Sequence, residues 1–199
     1  VTDKALAGIM ALLCLPLFLA IAVLIKLSGI FYPEDSGPVF RYEYRISKST
    51  KFKFYKFRFI KQETLANEGR IRLRDRAKTL EKDIYCTAVG KYLKKIYLDE
   101  LPQIYNIWRG DMSWVGPRPF PVDDYENDLR RGDVRKKVIM AGLTGLVQIN
   151  KGSRIKRSDV ELDNEYIKKS RELNPCKLWF YDMQIVLKTL WVIFQGKGL

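Results

Sequence analysis

Leu98-Asp99-Glu100-Leu101-Pro102-Gln103 is followed closely by Gly110-Asp111-Met112-Ser113-Trp114-Val115-Gly116-Pro117-Arg118-Pro119. Two adjacent carboxylates stand in an apolar frame, shortly before a stiff turn that presents an arginine. A carboxylate pair can hold a hard cation and supply a nucleophile. An arginine between prolines sits on a backbone with restricted φ, a pre-set clamp for phosphate. The chain has 199 residues and no histidine, which excludes Ser-His-Asp and Cys-His sites and any His-ligated metal. Acid–base work falls to carboxylates, lysine or tyrosine. These features point to an enzyme that handles a phosphorylated substrate.

The elements that must position these groups are legible in outline. Leu101, Ile104, Tyr105 and Trp108 recur at three and four spacing, an amphipathic helix over Leu101 to Arg109 with Pro102 in its first turn. Asp99 and Glu100 then fall at or near a helix N-terminus, where amide dipoles favour negative charge. Val89 to Leu98 reads as a short basic helix, and Phe52 to Phe59, with partial alternation, as a strand or hairpin arm. Glu63 to Asp83 and Asp123 to Arg135 are mixed-charge segments that read as exposed helix or loop. Gly142 to Asn150 reads as a turn into a short strand, Lys151 to Arg157 as a basic loop and Ser158 to Lys169 as a polar helix. Leu178 to Phe194 is an aromatic, largely apolar helix, suited either to a membrane interface or to a core.

Ala5 to Ile25 contain no charged side chain, and Lys4 and Lys26 flank them. About 20 apolar residues suffice to cross a bilayer. A signal peptide is disfavoured because no small-residue cleavage site separates the run from the basic region. A buried core helix is disfavoured because the run is apolar all round. Pro16 lies near its middle and removes one backbone donor, so the expectation is a helix broken near Pro16 that dips in and returns; a straight span with a tolerated proline is the alternative. Ser28 to Pro38 reads as a turn-rich linker leaving the bilayer.

The net charge is +13, and nearly all Lys and Arg follow residue 40. A basic segment beside a membrane run stays cytoplasmic and attracts anionic headgroups. Nucleic acid is the other partner such charge suggests, but there is no zinc-finger spacing, ribonucleoprotein motif or heptad zipper, so none is expected. Cys14, Cys86 and Cys176 lack metal-ligand spacing and fit a reducing compartment.

Taken in order along the chain, these blocks resemble the bacterial sugar transferases, the monotopic phosphoglycosyl transferases that start glycoconjugate assembly on a polyprenyl phosphate. The resemblance rests on Leu98 to Gln103, Gly110 to Ser113 and Gly116 to Pro119, with Tyr55-Lys56-Phe57-Arg58 and Gly142 to Asn150. It implies an α+β, predominantly helical fold. Residues 1–30 would form the re-entrant membrane helix, and residues 31–199 a small cytosolic α/β catalytic domain with interfacial amphipathic helices. The location implied is the bacterial inner membrane, with the catalytic domain on its cytoplasmic face. It implies transfer of a sugar 1-phosphate from a nucleotide sugar, usually a UDP-sugar, to polyprenyl (undecaprenyl) phosphate, with release of UMP. Asp99 would be the nucleophile and would hold Mg2+, Glu100 would assist it, and Arg118 would clamp phosphate. Lys56, Arg58, Lys94 and Arg154 would be further phosphate contacts.

The chain also departs from the family pattern. Lys94 replaces a common arginine, Tyr97 a small hydroxyl residue, and Met140-Ala141 an Arg-Pro; an Arg-x-Gly element near Tyr44-Arg45-Ile46 is missing. A catalytically weak relative that acts as a membrane scaffold is therefore an alternative, and a peripheral module binding anionic membrane lipid another. The sugar, the oligomeric state (a homodimer among the options) and what precedes Val1 stay open.

Overall fold

In the computed structural model, the described residues are 2–66, 82–133, 135–150 and 157–194. Helix α1 spans Thr2–Phe31 and contains Pro16. The expected break is corrected in one respect: the helical run is continuous through Pro16. Proline removes only its own donor, and an apolar helix tolerates one such loss. At about 1.5 Å per residue the helix exceeds a bilayer core in length, and it is apolar enough to cross one. Ala7, Ile21, Ile25 and Ser28 are buried along one stripe, while Leu12, Leu13, Ile30 and Phe31 are among many exposed apolar side chains.

Strands β1 (Phe40–Ser47) and β2 (Thr50–Phe57) meet at Lys48 and Ser49, both at positive φ. Two consecutive positive φ values are what a two-residue hairpin turn requires. Then follow α2 (Gln62–Ala66), α3 (Ala88–Lys95), a 3-10 turn at Leu98–Glu100, α4 (Gln103–Arg109), β3 (Ser113–Val115), β4 (Phe120–Pro121), α5 (Val122–Arg130), α6 (Arg135–Val138), β5 (Gly142–Thr144), α7 (Leu146–Asn150), α8 (Asp159–Glu172) and α9 (Pro175–Phe194). The sheets are small: β2-β1-β4, and parallel β3-β5. The expected strand after Gly142 stops at Thr144, and Leu146–Asn150 is helical. A run of four or five apolar residues does not distinguish the two states by period. Helix α8 begins with a capping box, Ser158 and Glu161 each accepting from the other's backbone N–H.

The chain forms two compact units. One comprises residues 1–8, 43–54 and 103–199; its core joins Val115, Leu146, Leu162, Tyr166 and Ile185. The other comprises residues 9–42 and 55–102; its core joins Ile21, Ile25, Phe57 and Leu93, with Phe18, Val39, Leu98 and Leu101 against them.

Candidate active site

The carboxylate pair lies in the second unit. Thr87 caps α3 by accepting the Gly90 N–H, and α3 ends before Tyr97. Tyr97 is left-handed, at φ 59° and ψ 16°, and is followed by the Leu98–Glu100 turn. Leu98 and Leu101 anchor that turn in the apolar core. Asp99 and Glu100 are consequently buried, at 3% and 9% exposure. Buried carboxylates require compensation. Lys56, near the end of β2, supplies it: its Nζ lies 2.9 Å from Glu100 Oε1 and 3.7 Å from Asp99 Oδ2. Three predicted site residues, Lys56, Asp99 and Glu100, thus converge. Lys94 is half-buried on α3, and both it and Asp99 lie close enough to influence the Cys86 thiol. Burial raises that thiol above its ordinary value, so Cys86 is a poor nucleophile.

Arg58, expected as a phosphate contact, lies in the interior. It is fully buried, and its guanidinium donates to the backbone carbonyls of Asp35, Pro38 and Ile60. Burial lowers its pKa from the ordinary arginine value, and the nearby Asp35 charge works the other way. Strand β2 ends at Phe57, so the alternation that would place Arg58 on the face of Lys56 has already stopped. Asp35 is a residue that sequence reasoning missed. Its Oδ2 accepts from Ser28 Oγ on α1 and from the Ala88 N–H that opens α3, both at 2.7 Å. In sequence it is one acidic residue in a Pro- and Gly-rich linker, with no signal to single it out.

Arg118 belongs to the other unit, where its turn is fastened on two sides. Gly116 N–H donates to Thr144 O, and Gly142 N–H donates to Pro117 O. A Cβ at Gly142 would strike the Gly116 backbone, and one at Gly145 the Gly116 carbonyl. Glycine at these two positions lets one backbone lie on the other. Arg45, also missed in the sequence, donates from Nη1 to Pro119 O at 3.1 Å and from Nη2 to Glu43. Arg118 itself is half-buried. Arg154 lies outside the described residues.

Among the described residues no group of three or more His, Cys, Asp or Glu gathers as a metal cage. Asp99 and Glu100 do offer hard oxygen donors. One or two carboxylates, completed by water and substrate phosphates, is the usual donor set for magnesium. The pair fits an ion shared with substrate rather than an all-protein site.

The family model described as "Bacterial sugar transferase" matches residues 1–196. The galactosyl transferase CpsE of Streptococcus agalactiae is 37% identical over 175 residues, covering 83% of this chain and 36% of that protein. The UDP-N-acetylgalactosamine-undecaprenyl-phosphate N-acetylgalactosaminephosphotransferase of Aeromonas hydrophila is 34% identical over 202 aligned residues, 97% of this chain and 43% of that protein. The exopolysaccharide production protein ExoY of Rhizobium meliloti is 34% identical over 210 aligned residues, 98% of this chain and 85% of that protein. The chain belongs to the bacterial sugar transferase family. It spans less than half the length of CpsE and the Aeromonas enzyme, and most of ExoY.

Proposed function

We propose that this chain transfers a sugar 1-phosphate from a UDP-sugar to polyprenyl phosphate, the first membrane step in assembling a surface polysaccharide. The observation that carries this reading is the buried Asp99–Glu100 pair, compensated by Lys56, within the stretch that the family model matches. An Asp99 carboxylate oxygen attacks the sugar-bearing phosphorus. The bond from that phosphorus to the bridging oxygen breaks, UMP leaves with that oxygen, and an aspartyl phosphosugar remains. An oxygen of the lipid phosphate then attacks the same phosphorus and releases the Asp99 carboxylate. A covalent intermediate lets a soluble and a lipid substrate use one site in turn. Lys56 compensates the buried charge of Glu100 and Asp99, Glu100 orients the pair, and the family resemblance gives Lys94 and Arg118 the role of phosphate contacts. Bound Mg2+, held on Asp99, would offset diphosphate charge.

The same reading puts the protein on the cytoplasmic face with both ends of α1 on that side, the helical run bending at Pro16 without breaking. Polar contacts near each end suit it: Asp3 accepts from Ser113 Oγ, and its carbonyl from Trp114 Nε1, while Ser28 donates to Asp35. The outer side of α9 exposes Trp179, Phe180, Leu187, Leu190 and Trp191, a surface that suits the lipid interface.

Incubating the purified chain with a UDP-sugar panel and undecaprenyl phosphate tests the proposal. UMP release with a lipid-linked diphosphosugar is the expected outcome; no turnover with any donor would favour a scaffold.

A further inference from the structure

Three non-glycine residues among the described positions have positive φ: Lys48, Ser49 and Tyr97. The first two form the tip of a hairpin, where the turn demands it. Tyr97 is in no hairpin. The left-handed region is costly for a bulky residue and persists only where the surroundings over-determine it.

Two hydrogen bonds show what holds it. Tyr97 N–H donates to Lys94 O, and Glu100 N–H donates to Tyr97 O, each at 3.2 Å. The residue therefore ends α3 and opens the Leu98–Glu100 turn. Helices commonly stop this way, but with Gly or Asn in the left-handed seat. A right-handed residue at 97 would carry α3 onward. The left-handed one turns the chain back, so that Leu98 and Leu101 pack in the core that contains Leu93. The same reversal delivers Asp99 and Glu100 to Lys56.

We propose that Tyr97 is a positioning residue whose left-handed backbone aims the Asp99–Glu100 turn at Lys56. The proposal rests on the reading of Asp99 as nucleophile. It makes a specific demand: substitutions at 97 rank by the cost of the left-handed conformation, not by size or polarity. Gly and Asn enter that region readily, Ala less so, and β-branched Val least.

The test uses the full chain in detergent with Tyr97→Gly, Tyr97→Asn, Tyr97→Ala, Tyr97→Val and Tyr97→Phe. UMP release gives kcat and KM, and thermal unfolding gives Tm. The Gly, Asn and Phe variants should keep kcat within about threefold of the parent. The Val variant should lose roughly tenfold or more, mainly in kcat. Among the four variants without a ring, Tm should fall in the order Gly, Asn, Ala, Val. Rates that follow the ring, with Phe active and Gly as poor as Val, overturn the proposal, and so does a flat series. A parent chain that releases no UMP overturns the functional reading instead, and the Tm order then judges the backbone demand by itself.

Discussion

Lys56 Nζ is 2.9 Å from Glu100 Oε1 but 3.7 Å from Asp99 Oδ2, so the lysine bonds to the second carboxylate and only neighbours the first. Asp99 thereby gains a nearby positive charge while the close ionic bond is made by Glu100. All three side chains are almost wholly buried. Removing one partner of a buried ion pair leaves an uncompensated charge and costs about 3–5 kcal/mol. Lys56→Ala should therefore lower Tm markedly and abolish UMP release, whereas Lys56→Arg should fold and retain part of the rate. Thermal unfolding beside turnover would show this, and a Lys56→Ala variant as stable as the parent would refute it.

Asp99 and Glu100 should separate by role. Asp99→Asn keeps the size and removes the anion, so both half-reactions should vanish. Glu100→Gln should slow turnover while still allowing some intermediate. With UDP-sugar alone, the parent should release UMP up to one equivalent and gain the mass of a sugar phosphate at Asp99. Intact-protein mass spectrometry reads this directly. Turnover that needs both substrates at once, with no adduct trapped, would indicate direct displacement.

Arg118→Ala should cost about 10²–10³ in rate, as for loss of one preorganised contact to developing phosphate charge. Arg130 is an exposed control, 75% accessible and paired at 4.0 Å with Glu126 one helical turn earlier. Such pairs contribute little. Equal effects on kcat/KM from Arg118→Ala and Arg130→Ala would remove Arg118 from the site.

Topology can be read by cysteine labelling. In a background lacking Cys14, Cys86 and Cys176, new cysteines at Thr2 and Ser36 should both resist a membrane-impermeant reagent in intact cells and react after lysis. Labelling at residue 2 from outside would mean a true span.

Asp182 supplies a pH-dependent prediction. Burial raises its carboxyl from about 3.8 to about 6, although the hydrogen bond from Tyr166 works against the rise. The folded state thus binds this proton more tightly than the unfolded chain. Its stabilising contribution is full below about pH 4 and is lost as pH rises through about 6. Asp182→Asn cannot ionise and still accepts from Tyr166. Its Tm relative to the parent should therefore improve by more at pH 7.5 than at pH 4.5. A larger gain at the acid end would reverse the assignment.

What the sequence disclosed depended on the range of the interaction. The Asp99–Glu100 motif and the α8 start at Ser158 are encoded within a few residues, and both were legible. Lys56 reads as part of a basic strand, but its partners leave no local signal, because they lie more than 40 positions away. Arg58 resembled Lys56 in the alternating pattern and differs only because the strand stops between them. Asp35 and Arg45 act through backbone groups at distances of 53 and 74 positions, which leave no local mark. Leu146–Asn150 misled because a short apolar run serves helix and strand equally well.

Asp35 fastens together a residue of the apolar helix, the first amide of α3 and, through its carbonyl, the buried Arg58 two positions past Lys56. Under the proposed reading, with the apolar helix seated in lipid, this joint would act as a depth gauge and hold Asp99 at one height relative to the headgroups. A phosphate carried on any polyprenyl chain would have to rise to that height. The length of the lipid would matter less than how far its head can be lifted from the bilayer.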